Sequence, residues 1–383
     1  MNEIAVSDER LPVTPSVTTW ARNRAGFTTD DARKYFPRIR DWEEGTAAPT
    51  YAQLEAMAEK FKVPVAVFFF PAPPETESIA QSFRTLPEHY FDQLPRTVKA
   101  LVRKGQAMQL NLGELGDEKN PATRLLTADL RVTWTKGVQD ACSGVREYLG
   151  ITIEQQISWD STDEALENWR DALARVGIFA FKDAFHADGY FGFCLYDDVL
   201  PIIYVNNSTT KTRQIFTLFH ELAHLLFCTS GIDVADQSYI DRLGVENKDV
   251  EILCNRFAAE FLVPDAVFDS LVAKTNATQE HAAKIADQLK VSREVIYRKM
   301  LDRGWVSQAE YQAATSAWAR QKKAQSDGGN YYYTQIAYLG NAYIELALKR
   351  YHQGRFDGAQ LAGYLNIKPK SLESFEHMYS SRK

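Results

Sequence analysis

The sequence predicts an α+β fold that is mostly helical, with a small β-sheet near its middle. Helical patterns occupy both ends of the 383-residue chain. Between residues 178 and 206 the pattern changes to short β-rich runs bounded by turn residues, which is typical of strands in a small sheet. A helix with a His-Glu-x-x-His pattern follows these strands directly, and the rest of the prediction is organised around it.

Composition indicates a globular protein of two or three domains. The chain is 45% hydrophobic and 25% charged. Its first residues are too polar for a signal peptide, and no apolar run approaches the roughly 18 residues of a membrane span. The four cysteines are scattered, with no Cys-x-x-Cys pair, which favours a reduced, cytoplasmic setting. The net charge of −6 argues against a chain devoted to nucleic acid, although a local basic face remains open.

The amino-terminal segment predicts short helices between residues 16 and 70, followed by a boundary at Pro71. Its near balance of eight basic and seven acidic residues between Trp20 and Lys62 gives little phosphate-binding field. The segment is about one helical turn short in the region where helix-turn-helix domains carry the recognition helix. DNA binding, docking onto a related DNA-binding partner and a packing role all stay open. The segment resembles the Xre-type helix-turn-helix family through Trp42-Glu43-x-Gly45, Pro49-Thr50 and Leu54-x-x-Met57-Ala58-x-x-Phe61-x-Val63-Pro64.

The stretch from Phe216 to Phe227 carries the chemistry. His220 and His224 are four residues apart, so on a helix their imidazoles share one face and can bind one metal ion. Glu221 can then accept a proton from a metal-bound water and act as general base. The alternative is a pair of core histidines, although the apolar residues around them would make two unliganded imidazoles costly to bury.

A catalytic zinc needs a third protein ligand, which we expect from a helix over residues 250–263 that ends at Pro264. Glu251 and Glu260 compete for this role. Glu251 shares a face with Asn255, which can hydrogen-bond a ligating histidine while Glu251 holds the metal. Cys228 extends the histidine face by four residues, but three ligands from one straight helix diverge along its axis. We interpret Cys228 and Cys254 as core thiols.

These two stretches resemble the ImmA/IrrE family of metallopeptidases. The resemblance covers roughly residues 160–310 and implies a thermolysin-like core, with Zn²⁺ on His220, His224 and Glu251 and with Glu221 as base. It also implies a protein substrate, because members cleave helix-turn-helix repressors, and some act in toxin–antitoxin or phage-defence loci. Tyr239 is the candidate oxyanion donor by chain position, with a surface tyrosine as the alternative. The matching residues are Arg213-x-x-Phe216-Thr217-Leu218-x-His220-Glu221-x-x-His224, Glu251-x-Leu253-Cys254-Asn255-x-x-Ala258-Ala259, Leu262-Val263-Pro264 and the strand Pro201 to Asn206.

Residues 277–305 predict a second helix-turn-helix-like pair, with Ser292 as the N-cap of its second helix. DNA contact and simple helix packing are both open for this pair, because no arm, wing or dimer pattern can be read. A helical module follows, beginning near Tyr331. The basic residues that could meet phosphates are Arg293, Arg298, Lys299 and Arg303.

The sequence thus predicts four segments: a degenerate Xre-like module (1–75), a helical linker region (76–150), a zinc metallopeptidase core with its trailing helix pair (151–310) and a helical carboxy-terminal module (311–383). The predicted function is an intracellular zinc endopeptidase that cleaves a helix-turn-helix repressor or antitoxin in a stress, prophage or defence circuit. The alternative is a DNA-binding regulator or toxin–antitoxin component with a structural or latent metal site.

Overall fold

The computed structural model describes most of the chain in two compact units. The first unit combines amino-terminal residues with residues 94–121 and 343–381, and the second spans the described part of residues 122–342. The domain boundaries proposed from the sequence stay predictions. No helix in the described ranges is long and apolar enough to cross a membrane. Those ranges are 11–25, 27–61, 63–74, 94–130, 132, 137–234, 245–272, 277–320 and 330–381.

Short helices make up the first unit. Its core gathers around Trp42 and Phe61, both almost fully buried, and Phe36 packs edge-on against Phe61 at 5.6 Å. The region of the predicted recognition helix holds two helices of five residues each. The elements are α1 (Pro15–Arg24), α2 (Thr29–Arg33), α3 (Ile39–Glu43), α4 (Tyr51–Phe61), a 3₁₀ turn (Val65–Phe69), α5 (Arg96–Gly116), the main part of α17 (Asn341–His352), α18 (Gly358–Tyr364), a 3₁₀ turn (Pro369–Ser371) and α19 (Leu372–Ser380).

Helices also dominate the second unit, and they surround one small sheet. This confirms the predicted α+β class. The helices are α6 (Leu126–Asp129), α7 (Val138–Leu149), α8 (Ile153–Ser158), α9 (Thr162–Arg175), α10 (Lys211–Leu226), α11 (Val245–Leu262), α12 (Asp265–Leu271), α13 (Gln279–Leu289), α14 (Arg293–Asp302), α15 (Gln308–Ala319) and α16 (Tyr331–Leu339).

The sheet has four strands in the order β1-β3-β2-β4: β1 (Phe179–Asp183), β2 (Tyr190–Leu195), β3 (Ile202–Asn206) and β4 (Ile232–Val234). β1 pairs with β3 in parallel, and β2 pairs with β3 and β4 antiparallel. The predicted runs become β1, β2 and β3. The sequence analysis missed β4, because three residues are too few to show an alternating pattern.

Aromatic packing fixes the two helices that carry the predicted metal ligands. Phe219 of α10 stacks on Phe261 of α11 with ring centroids 4.1 Å apart. Trp169 of α9 packs edge-on against both rings, at 4.9 and 5.5 Å. Each such pair contributes about 0.5–1.5 kcal/mol beyond its area burial. The contacts therefore fix how α10 lies against α11, and with it how the ligand side chains meet.

Candidate metal centre

Helix α10 presents both histidines on one buried face. Thr210 caps its first turn by accepting a hydrogen bond from the backbone N–H of Arg213, so the helix begins at Lys211. The Nε2 atoms of His220 and His224 lie 3.2 Å apart. Both imidazoles are almost fully buried. The side chains therefore converge on one point, as the four-residue spacing predicts.

Glu251 of α11 completes the set. Its carboxylate oxygens lie 3.4 Å from His220 Nε2 and 3.3 Å from His224 Nε2. In the described part of the chain, this is the group of three or more ligand-type side chains whose donor atoms could share an ion. A tetrahedral zinc about 2.0–2.1 Å from each donor requires donor separations of about 3.3–3.4 Å. The Nε2–Nε2 separation of 3.2 Å fits such an ion, and Glu251 brings a different oxygen near each imidazole, with one donor atom of each residue within 4.8 Å of the others.

Asn255 holds one imidazole in the required orientation. Its Nδ2 donates to the backbone carbonyl of Glu251 at 3.1 Å, which turns its Oδ1 toward His220 Nδ1 at 3.2 Å. With Nδ1–H of His220 donating to that oxygen, the lone pair of His220 Nε2 is free for a cation. This is the arrangement expected from the i, i+4 spacing of Glu251 and Asn255.

The rival ligands lie in other environments. Glu260 accepts a hydrogen bond from Lys299 Nζ at 2.8 Å and another from the backbone N–H of Asp265 at 3.0 Å. The Cys254 thiol is buried, which raises its pKa, whereas Cys228 is exposed and so is not the core thiol we expected. None of these three side chains belongs to the convergent donor group.

Glu221 is fully buried beside this donor group. Neither of its carboxylate oxygens accepts a hydrogen bond of normal geometry from the described residues, although the Cys194 thiol, a weak donor, is close by. Burial raises the pKa of Glu221 to about 8, and His224 lowers it only in part. A carboxyl group with this pKa can take up and release a proton near neutral pH.

The remaining site groups titrate as a coupled set. Burial alone would raise the pKa of Glu251, but the two histidines outweigh it and hold that pKa well below its usual range. For His220, burial lowers the pKa, while Asp233 and Glu251 raise it further than burial lowers it. The donor set of the metal-free protein is therefore strongly polarised, and a cation would take over the role of the shared protons.

Two features of the site were not predicted from sequence. Asp233 of β4 is buried and accepts hydrogen bonds from Arg213 and Thr217 of α10. Gly231 lies against His224, and a Cβ at this position would approach the imidazole to 2.4 Å. Thr217 and Arg213 lie three and seven residues before His220, so helical periodicity could have found them. No comparable signal marks Asp233 or Gly231.

Tyr239, the candidate oxyanion donor, lies outside the described residues. Its role stays a prediction.

The predicted basic helix α14 has its charged side chains engaged. Ser292 caps it by accepting from the backbone N–H of Val295, as expected. Helix α15 packs against α14, with the Trp318 ring 5.6 Å from Tyr297. Lys299 and Arg303 are mostly buried against acidic partners, whereas about half of the Arg298 side chain stays exposed. The four basic groups interact as follows: Arg293 lies over Trp318, Arg298 pairs with Asp302, Lys299 with Glu260 and Asp265, and Arg303 with Asp265 and Asp269.

Comparisons with known proteins point to the same part of the chain. Residues 175–301 match a model of a peptidase family, described as the IrrE N-terminal-like domain. The radiation response metalloprotease IrrE of Deinococcus deserti is 33% identical over 100 residues, which cover 25% of this chain and 34% of that protein. A Mycobacterium tuberculosis transcriptional regulator aligns over 50% of this chain and 51% of its own, at 15% identity and a TM-score of 0.29, too low to support a shared fold.

Proposed function

We propose that this protein is a zinc-dependent metallo-endopeptidase, since residues 175–301 match the model of a peptidase family described as the IrrE N-terminal-like domain. The observation that carries the proposal is the convergence of His220, His224 and Glu251 at separations of 3.2–3.4 Å, with Glu221 buried beside them. These three side chains would hold the ion. Two imidazoles and one carboxylate, with the fourth position left for water or substrate, are the donor set of many zinc peptidases.

The roles of the protein's own residues follow from their contacts. When bound, zinc would polarise the scissile carbonyl and lower the pKa of a coordinated water. Glu221 would accept the proton of the attacking water and return it to the leaving amine, since it lies buried beside the donor group and no described residue donates a normal hydrogen bond to its carboxylate. Asn255 keeps His220 in the tautomer that offers Nε2 to the ion.

The proposed substrate is a protein, in particular a helix-turn-helix repressor or antitoxin of a stress, prophage or defence circuit in the cytoplasm. The resemblance of both flanking modules to helix-turn-helix proteins supports this choice, since related modules can dock onto each other. The engaged basic side chains of α14 count against the alternative of a DNA-binding regulator. In the first unit, four basic side chains likewise pair with acids: Arg22 with Glu43, Arg33 with Asp30, Lys34 with Asp31 and Arg38 with Asp41.

Metal analysis and one isosteric variant test the proposal. We expect about one zinc per chain for a single three-ligand site, and cleavage of a co-expressed helix-turn-helix protein from the neighbouring gene. Glu221→Gln should retain the zinc and lose the cleavage. Cleavage that survives this substitution would refute Glu221 as the base. A zinc-loaded protein that binds DNA but cuts no candidate would favour the regulator.

A further inference from the structure

The buried carboxylate of Asp233 lies close to the metal centre but has no part in the proposed chemistry. Arg213 Nη2 donates to both of its oxygens, at 2.7 and 2.9 Å, and Thr217 Oγ1 donates to one of them at 2.8 Å. The guanidinium group of Arg213 also lies over the ring of Phe191 in β2, at 3.7 Å. The three polar side chains thus join the edge strand β4 to the first half of the metal helix α10.

Strand β4 needs such a connection. It has three residues, lies at the edge of the described sheet, and its pairing with β2 shifts register between Tyr190 and Gly192. A short, irregular edge strand is weakly held by its ladder alone. Gly192, which pairs with Asp233, leaves the room for the connection, since a Cβ there would meet Thr217 Cγ2 at 2.4 Å.

Stability alone does not account for an ion pair between the buried Asp233 and the half-buried Arg213 at this position. Removing a carboxylate from water is costly, and apolar residues of similar volume often stabilise a fold equally well. The hydrogen-bonded pair contributes a defined geometry, because the planar guanidinium group and the carboxylate fix one distance and one angle between strand and helix. Gly231, the residue before β4, lies against His224, so this distance also sets how closely the backbone leading into β4 approaches the donor group.

We propose that Arg213, Thr217 and Asp233 form a clamp that holds β4 at the distance from α10 needed to bind an extended substrate segment beside the metal centre. Arg213 and Asp233 are then positioning residues for substrate binding. They contact neither the reacting atoms nor the ion. The clamp rests on the proposed peptidase function. Arg213 lies seven residues before His220, which is about 10 Å along the helix axis. The distance along α10 between the clamp and the metal centre therefore equals the length of about three residues of an extended peptide.

Two substitutions of matched chemistry test the clamp in the full-length protein. Arg213→Met keeps the apolar stem against Phe191 and removes the guanidinium group. Lys182→Met is the control, because Lys182 likewise pairs with a carboxylate, that of Glu167 at 3.0 Å, is more deeply buried than Arg213, and lies on β1 at the opposite edge of the described sheet. Asp233→Asn, which keeps the shape of the side chain, serves if Arg213→Met does not fold.

We expect Arg213→Met to raise KM at least about tenfold, the scale of one or two charge-assisted hydrogen bonds, while kcat stays within about threefold and zinc content is unchanged. Amide exchange of residues 231–234 should quicken at least about tenfold, with or without metal. Lys182→Met should change neither KM nor the amide exchange of residues 231–234. The clamp is wrong if Arg213→Met leaves exchange and KM as in wild type, if Lys182→Met has the same effects, or if the loss falls on kcat alone.

Failure of the clamp can be told from failure of the peptidase proposal. If the wild-type protein cleaves no candidate substrate, the peptidase proposal is what fails. Amide exchange of residues 231–234 then still decides whether the three side chains hold β4.

Discussion

Replacing Glu221 by Gln should stabilise the protein at neutral pH when no metal is bound. The same substitution should remove the proposed activity of the zinc-loaded protein. Burial raises the pKa of this carboxyl from 4.5 to about 8. Between these values the folded state binds the proton and the unfolded state does not, so stability falls as pH rises through this window. At about 1.36 kcal/mol per pH unit, this loss is about 3 kcal/mol at pH 7 and about 5 kcal/mol above pH 8. Because Gln does not titrate, the Glu221→Gln variant does not lose this stability as the pH rises.

The measurement is urea unfolding of both proteins in the presence of a chelator, near pH 4.5, 7 and 8. Because the chain has two compact units, amide exchange in α10 is measured as well, to follow the unfolding of the second unit, which contains Glu221. The stability difference between variant and wild type should be small at the lowest pH and should grow to about 3 kcal/mol at pH 7. Glu280→Gln on α13 is the control, because that carboxylate is exposed and its removal should not reproduce this growth. Parallel pH profiles for wild type and Glu221→Gln would refute the assignment of a desolvated, proton-binding carboxyl.

Four further substitutions test the assignment of the centre. Glu251→Ala should abolish stoichiometric zinc binding, whereas Glu260→Ala should keep the zinc and lose about 1–3 kcal/mol of unfolding free energy, because Lys299 loses its buried carboxylate partner and keeps only Asp265; metal analysis and urea unfolding separate the two. Asn255→Ala should weaken zinc affinity about 10- to 100-fold in a chelator competition, since His220 loses its orienting acceptor. Gly231→Ala should weaken zinc binding through a clash with the His224 ring, and wild-type affinity in that variant would show that the strand can shift at no cost.

Helical periodicity made the ligands predictable. The four-residue spacing of His220 and His224, and the same spacing of Glu251 and Asn255, each specify one helix face, so two local patterns sufficed. Glu251 could be chosen over Glu260 because Asn255 lies on the same helix face as Glu251 and can hydrogen-bond a ligating histidine. The structure adds the physical reason: Glu260 is occupied by an ion pair with Lys299 of α14.

Asp233, Gly231 and the clamp could not be predicted in this way. They depend on a three-residue strand whose place beside α10 is set by tertiary packing, and no local period identifies it. The same limit applies to the basic residues of α14. Their spacing is compatible with phosphate contacts, but only the fold reveals that Lys299 is buried against Glu260 and Asp265.

The metal-free centre concentrates groups that do not satisfy each other. His220 and His224 face each other through Nε2 atoms 3.2 Å apart, and Asn255 commits the other nitrogen of His220 to donating. Glu221 has two buried oxygens without a normal hydrogen bond. Buried polar groups in such an arrangement cost free energy, and a divalent cation at the donor set offsets that cost for all of them together. Binding of a cation by these side chains would therefore be coupled to the stability of the second unit.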